Sequence, residues 1–283
     1  MSIWTEIQDI EFKLYYLDAN GVKTRVLEAG EGDPLILLHG TGGHIEAYGR
    51  NMKELSKHFR VICIDMLGHG YTDKPDRPYG IDSYSDHLLD VIHALGLSKV
   101  YLSGESLGGW VAAWFAAEHP EYVWSMVLNT PGNVNNDPKI MAGLRDSTVK
   151  AVVEASYENV KKRLEWLMYD KSQVTDELIK IRYKIYTQPE YQKAVYNIVY
   201  LQDPEARSQY IWAPSWCNKI QTPTLLAWTD HDPTSTVEAA KPIQEMIPGS
   251  ELTVIENAGH WPQWEQVKEF NKVLIDFLKQ PVK

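Results

Sequence analysis

One stretch constrains this chain more than any other. Val100-Tyr101-Leu102-Ser103 is a short apolar run, Gly104-Glu105-Ser106-Leu107-Gly108-Gly109 follows it, and residues 110–117 form an apolar, helix-like run. A serine centred in Gly-x-Ser-x-Gly between a strand and a helix predicts a turn so tight that glycine is needed two residues to either side. Such a turn lifts the Ser106 hydroxyl clear of the backbone. It also leaves the Leu107 N–H, at a helix N-terminus, facing any negative oxygen that forms beside it.

The flanking sequence supplies the sheet that the turn requires. Residues 12–17 and 22–27 read as strands of a hairpin closed around Asn20-Gly21, and Pro34–Leu38 and residues 61–65 are continuous apolar runs of the kind buried on both faces of a parallel sheet. Helical spacing over 46–58 and 83–95 separates these runs, and 123–128 is again strand-like. Alternation of this kind predicts an α/β fold: a mostly parallel sheet with helices on both faces. From 133 to 212 the strand-like runs disappear and helical spacing takes over. Strands then return at 224–228 and 251–255, around a helix at 237–246 and before a closing amphipathic helix at 264–278. The expected organisation is a core of residues 1–132 and 213–283, with a helical lid of residues 133–212 inserted in it. At 283 residues, 44% hydrophobic, the chain is long enough for one large core.

A net charge of −10 argues against a nucleic-acid partner, which needs clustered Lys and Arg. Cys63 and Cys217 lie far apart in sequence, and the expectation is two buried thiols in a reducing compartment. The first residues lack a charged segment followed by an apolar one, and no run approaches bilayer-spanning length. A cytoplasmic protein with no membrane contact is expected, with a small-molecule substrate and, at the level of assembly, a homodimer.

A serine hydroxyl is a poor nucleophile near neutral pH, so Ser106 needs a base within hydrogen-bond reach and an anion to hold that base in one tautomer. Two later loops offer them in the order Ser, Asp, His: Thr229-Asp230-His231-Asp232-Pro233 and Asn257-Ala258-Gly259-His260-Trp261. Loops beyond the carboxyl ends of parallel strands gather on one edge, so Ser106, His260 and an aspartate, Asp230 or Asp232, can converge. The run His39-Gly40-Thr41-Gly42-Gly43 after the strand at 34–38 is placed to add the N–H of Thr41 or Gly42 to that of Leu107 as an oxyanion hole, about 3–4 kcal/mol per donor.

With a helical insertion after the strand at 123, the chain resembles an α/β-hydrolase with a lid. More narrowly, Gly259-His260-Trp261-Pro262-Gln263-Trp264-Glu265, continuing through Phe270-Asn271 and Asp276-Phe277-Leu278, resembles the meta-cleavage-product hydrolases, which cut carbon–carbon bonds in ring-fission products of aromatic catabolism. The resemblance favours Asp232 as the acid. Residues 174–182 resemble the segment in which that family places an arginine for the substrate's carboxylate, which implies Arg182 as a binding residue, with Trp261 in the pocket wall and Asn51 as a further candidate. The implied substrate is a 2-hydroxy-6-oxo-hexa-2,4-dienoate, ketonised and then attacked at C6 by Ser106, with His260 as base. Three positions depart from the family pattern. Glu105 stands where an asparagine commonly precedes the nucleophile, the glycine-rich segment lacks its usual proline, and Pro233-Thr234 replaces a large aromatic after the acid.

The alternatives are a carboxylesterase or lactonase with the same triad, and a ligand-sensing receptor on a hydrolase scaffold. Haloalkane dehalogenases and epoxide hydrolases of this fold carry a carboxylate where this chain has Ser106. No metal or other cofactor is expected: the nine histidines lack ligand-like spacing and no phosphate-cradling loop is present.

Overall fold

The computed structural model describes residues 2–134 and 137–280. Eight strands form one sheet: β1 (Phe12–Ala19), β2 (Val22–Ala29), β3 (Pro34–Leu38), β4 (Arg60–Ile64), β5 (Val100–Glu105), β6 (Val123–Asn129), β7 (Thr224–Thr229) and β8 (Glu251–Ile255). Their order is β1-β2-β4-β3-β5-β6-β7-β8, with β2 antiparallel to both neighbours and every pair from β4 to β8 parallel. This is the expected α/β fold. The β1–β2 hairpin turns on Asn20 and Gly21, both at positive φ, as the Asn-Gly pair predicts. β3 and β7 are buried along their whole length, because helices cover both faces of the sheet there.

The helices before β7 are α1 (Gly49–Leu55), α2 (Ile81–Ala94), α3 (Leu107–Glu118), α4 (Pro138–Val153), α5 (Tyr157–Leu167), α6 (Asp176–Tyr186), α7 (Pro189–Ile198), α8 (Pro204–Ser208) and α9 (Pro214–Cys217). After it come α10 (Ala240–Met246), α11 (Pro262–Glu265) and α12 (Val267–Leu278). α3 is apolar all round, and ten of its twelve residues are buried. α4, α5, α6 and α8 each start on a side-chain cap, from Asp137, Ser156, Thr175 and Asp203, so the segment between β6 and β7 is punctuated by local signals.

Three helices differ from the spacing-based reading. Residues 46–58 begin as a 3-10 turn, Ile45–Tyr48, before α1, and 237–246 likewise open on Val237–Ala239. The closing helix breaks at Gln266, whose backbone (φ −119°, ψ 53°) is not helical and separates α11 from α12. Periodicity alone does not detect such a one-residue interruption, since the apolar face continues across it. Cys63 and Cys217 are both free and buried. Among the described residues, no helix is long and apolar enough to cross a membrane.

The topology fixes where a site can form. β3 has β4 on one side and β5 on the other, so the connections leaving β3 and β5 diverge and open a crevice at their carboxyl ends. Leu38 pairs with Gly104 in register, which sets His39 and Gly40 beside Glu105 and Ser106.

Candidate active site

Ser106 occupies the bend between β5 and α3 with φ 54° and ψ −116°, a conformation an L-residue adopts at a cost of about 1–3 kcal/mol. The packing around it enforces the strain. A β-carbon on Gly104 would lie 2.2 Å from the Gly108 backbone, and one on Gly108 would lie 2.3 Å from the Leu38 carbonyl oxygen, so glycine at both positions lets strand, bend and helix close together.

His260 enters from the loop after β8. Its Nδ1 lies 2.9 Å from Asp232 Oδ2, in the loop after β7. The other Asp232 oxygen accepts the Thr234 N–H at 2.7 Å and the Thr234 hydroxyl at 2.8 Å, which fixes the carboxylate plane. Thr234 thus takes the holding role at a position where the resembled family carries an aromatic ring. Asp230 does something else. Its carboxylate accepts the N–H groups of Asn257 and Ala258 at 3.0 and 3.3 Å and so shapes the loop that carries His260.

Ser106, His260, Thr41, Leu107 and Trp261 line one cavity. No hydrogen bond joins Ser106 to His260, however. The imidazole Nε2 lies 3.2 Å from Glu105 Oε1, and the other Glu105 oxygen accepts the Gly40 N–H at 2.7 Å. Burial opposes charge on His260, but Asp232 and Glu105 outweigh it and raise its pKa above the ordinary histidine value. Burial likewise raises Glu105, against the lowering effect of His260, the Gly40 N–H and Arg182.

The glycine-rich loop is held from both sides. The Met66 N–H donates to His39 Nε2 at 3.1 Å, so the ring proton sits on Nδ1 and is given to the Gly40 carbonyl at 2.8 Å. Burial pushes the His39 pKa well down, which keeps the ring neutral in this role. From the helical segment, the Tyr186 hydroxyl donates to the Gly42 carbonyl at 3.0 Å.

Two of the residues implied by resemblance sit elsewhere than expected. Asn51 is fully buried, and its amide nitrogen donates to the Gln263 carbonyl at 3.0 Å and to Asn271 Oδ1 at 2.8 Å; it ties α1 to α11 and α12 and does not line the cavity. Its expected substrate contact is corrected to a structural one. Arg182 is 1% exposed and stands behind the lining, its guanidinium 4.9 Å from the centroid of Trp261. Its Nε and Nη2 have no hydrogen-bond partner among the described residues.

The cavity itself carries a different guanidinium that the sequence reading passed over. Arg163 on α5 is buried, donates to Ser147 Oγ at 3.0 Å, and is lowered to about 10 by burial. The signal was present in the sequence: the buried face of α5 is Val160, Arg163, Leu164 and Leu167, and that of α6 is Leu178, Ile179, Arg182, Ile185 and Tyr186. In both helices an arginine occupies a position that the 3.6-residue period assigns to an apolar side chain. Arg207 of α8 lines the same cavity.

A model of the alpha/beta hydrolase fold matches residues 33–267. A 2-hydroxy-6-oxo-2,4-heptadienoate hydrolase of Pseudomonas putida is 34% identical over 270 residues, which cover 92% of this chain and 94% of that one. This chain belongs to the α/β-hydrolases, in the group of the meta-cleavage-product hydrolases. A 2-hydroxy-6-oxo-6-phenylhexa-2,4-dienoate hydrolase of Comamonas testosteroni is 32% identical over 263 residues, 89% of this chain and 90% of that one. Among solved structures, the meta-cleavage product hydrolase from Pseudomonas fluorescens superposes with a TM-score of 0.81 at 31% identity, covering 95% of this chain and 98% of that one. Like its relatives, this α/β-hydrolase is a serine hydrolase acting on carbon–carbon bonds.

Proposed function

We propose that the enzyme hydrolyses the C5–C6 bond of a 2-hydroxy-6-oxo-hexa-2,4-dienoate, with Ser106 as nucleophile, His260 as base and Asp232 as its anchor. The observation that carries this reading is Arg182, a guanidinium buried without a carboxylate partner among the described residues. A buried cation left uncompensated is costly, and an anionic ligand offsets that cost in a way a neutral ester does not. Trp261 lines the cavity with its ring 4.9 Å from the Arg182 guanidinium, so a substrate carboxylate drawn to that cation approaches it past the edge of the indole.

Ketonisation moves a proton from the C2 hydroxyl to C5 and makes C5 a leaving group. Ser106 Oγ then attacks C6 while His260 Nε2 takes its proton, and the N–H groups of Leu107 and of Thr41 or Gly42 receive the charge that develops on the C6 oxygen. As the C5–C6 bond breaks, its electron pair passes through C4 and C3 to the C2 oxygen, which takes the proton carried by His260 Nε2; the ring is neutral again and the C6 acyl group remains on Ser106. A water deprotonated by His260 releases it as a carboxylic acid. Residues 133–212 act as the lid over this reaction, since α4, α5, α7 and α8 supply cavity walls.

Incubating the purified protein with a dienoate ring-fission product and, separately, with p-nitrophenyl acetate tests the proposal. Loss of the dienoate chromophore over many turnovers is the expected result. Ester turnover with an untouched dienoate would overturn it.

A further inference from the structure

We infer that Glu105 is a positioning residue that holds the Nε2 edge of protonated His260 away from Ser106 in the resting site, and lets the ring go when it loses that proton. The inference rests on reading Ser106 and His260 as nucleophile and base, and adds a device that decides when the base is available.

The place for this carboxylate is built into the fold. Glu105 is the last residue of β5, 1% exposed and next to the nucleophile, so its side chain enters the site from beneath the bend on which Ser106 stands. The Gly40 N–H fixes Oε2 at 2.7 Å, and a β-carbon at residue 40 would lie 2.5 Å from that same oxygen, so only glycine there leaves room for it. Thus anchored, Glu105 presents Oε1 to His260 Nε2 at 3.2 Å, while Asp232 Oδ2 faces Nδ1 at 2.9 Å. An imidazole between two carboxylates carries a proton at both edges, and so a charge that both attract, only as imidazolium. In the neutral ring one nitrogen is a lone pair. Asp232 keeps the proton on Nδ1, so Nε2 then turns a lone pair toward a carboxylate, and attraction becomes repulsion. The Ser106 hydroxyl, which donates, is the better neighbour for that lone pair.

Other charges act on the pair. Arg163 of α5 lowers His260, Arg182 of α6 favours ionised Glu105 while Asp232 opposes it, and Tyr48 lies against Glu105 with its hydroxyl donating to the Leu38 carbonyl at 3.0 Å. Among the described residues, the ion-pair partner of Glu105 is His260. The sign follows: an anion at Nε2 favours the imidazolium, so protonated His260 persists to higher pH with Glu105 present than without it.

Glu105→Gln removes the charge and keeps an oxygen for the Gly40 N–H. The acid limb of kcat/KM for p-nitrophenyl acetate is expected to move to lower pH. Where the wild type keeps a tenth of its maximum, the variant should keep roughly three times more of its own, or better. Side-chain NMR of His260 in the substrate-free protein should show its titration midpoint falling in the same variant. Identical acid limbs and midpoints, or a shift the other way, would overturn the inference. A second reading needs no change at residue 105. In Ser106→Ala at acid pH, a deshielded, exchange-protected Nε2 proton should persist because Glu105 holds it, and its disappearance on loss of the serine hydroxyl would equally refute the role. Because the NMR measurements use no substrate, they stand apart from the dienoate assay, whose failure would sink the proposed reaction and leave the Glu105 test intact.

Discussion

The sheet edge and the helical segment between β6 and β7 contribute to the same cavity in opposite ways. The sheet edge brings Ser106, Asp232 and His260 from loops after three separate strands, and each is pinned by backbone neighbours: Gly104 and Gly108 around the bend, Thr234 on Asp232, Asp230 under the His260 loop. The helical segment brings Arg163 and Arg182, which are buried with few protein partners. On the proposed function, the groups satisfied by the protein serve a reaction that many substrates share, and those left for a ligand to satisfy choose the substrate.

Ser106→Ala should lower turnover of every substrate by roughly 10⁴-fold or more with thermal unfolding unchanged, because the hydroxyl makes the covalent bond and bears no packing load. Comparable loss of folding would make the bend, and not the hydroxyl, the essential feature. Asp232→Asn should cost about 10⁴ in kcat on ester and dienoate alike, since an amide no longer fixes the ring tautomer. Arg182→Ala should cost about 10- to 100-fold in kcat/KM for the dienoate, the worth of a charge-assisted hydrogen bond, and much less for a neutral ester. Equal losses on both would erase the distinction drawn between the two regions. The smallest effect belongs to Tyr186→Phe, which removes the hydrogen bond to the Gly42 carbonyl: about 1 kcal/mol of stability by denaturant titration, with a modest fall in kcat on both substrates.

Much of the sheet edge is legible in the sequence, because the bend, the apolar strands and the Asn-Gly hairpin each rest on chemistry confined to a few neighbouring residues. The preference for Asp232 over Asp230 was different in kind: both follow the same strand, and only the path of the loop decides that one meets Nδ1 while the other takes two backbone N–H groups. Glu105 was visible as an odd residue beside the nucleophile, yet its direction depends on Gly40, 65 positions earlier. Asn51 is the reverse case. Resemblance suggests a ligand contact, whereas its amide nitrogen donates to α11 and α12, more than 200 positions away. Arg163 was hidden by its neighbours, since Lys161-Lys162-Arg163 looks like a solvated cluster until the helical period is applied to it.

The loop of His260 is also stitched to the helical segment. The His260 N–H donates to the Leu167 carbonyl at the end of α5 at 2.7 Å, and Glu265 accepts the N–H groups of both Gly259 and Asp170 at 2.8 Å each. Tyr169 lies flat on His231, ring centroids 3.8 Å apart, beside Asp232. The end of α5 therefore behaves as a fixed jamb of the cavity: swinging it outward would drag the His260 imidazole along, so a ligand that leaves the ring undisturbed passes by the opposite flank.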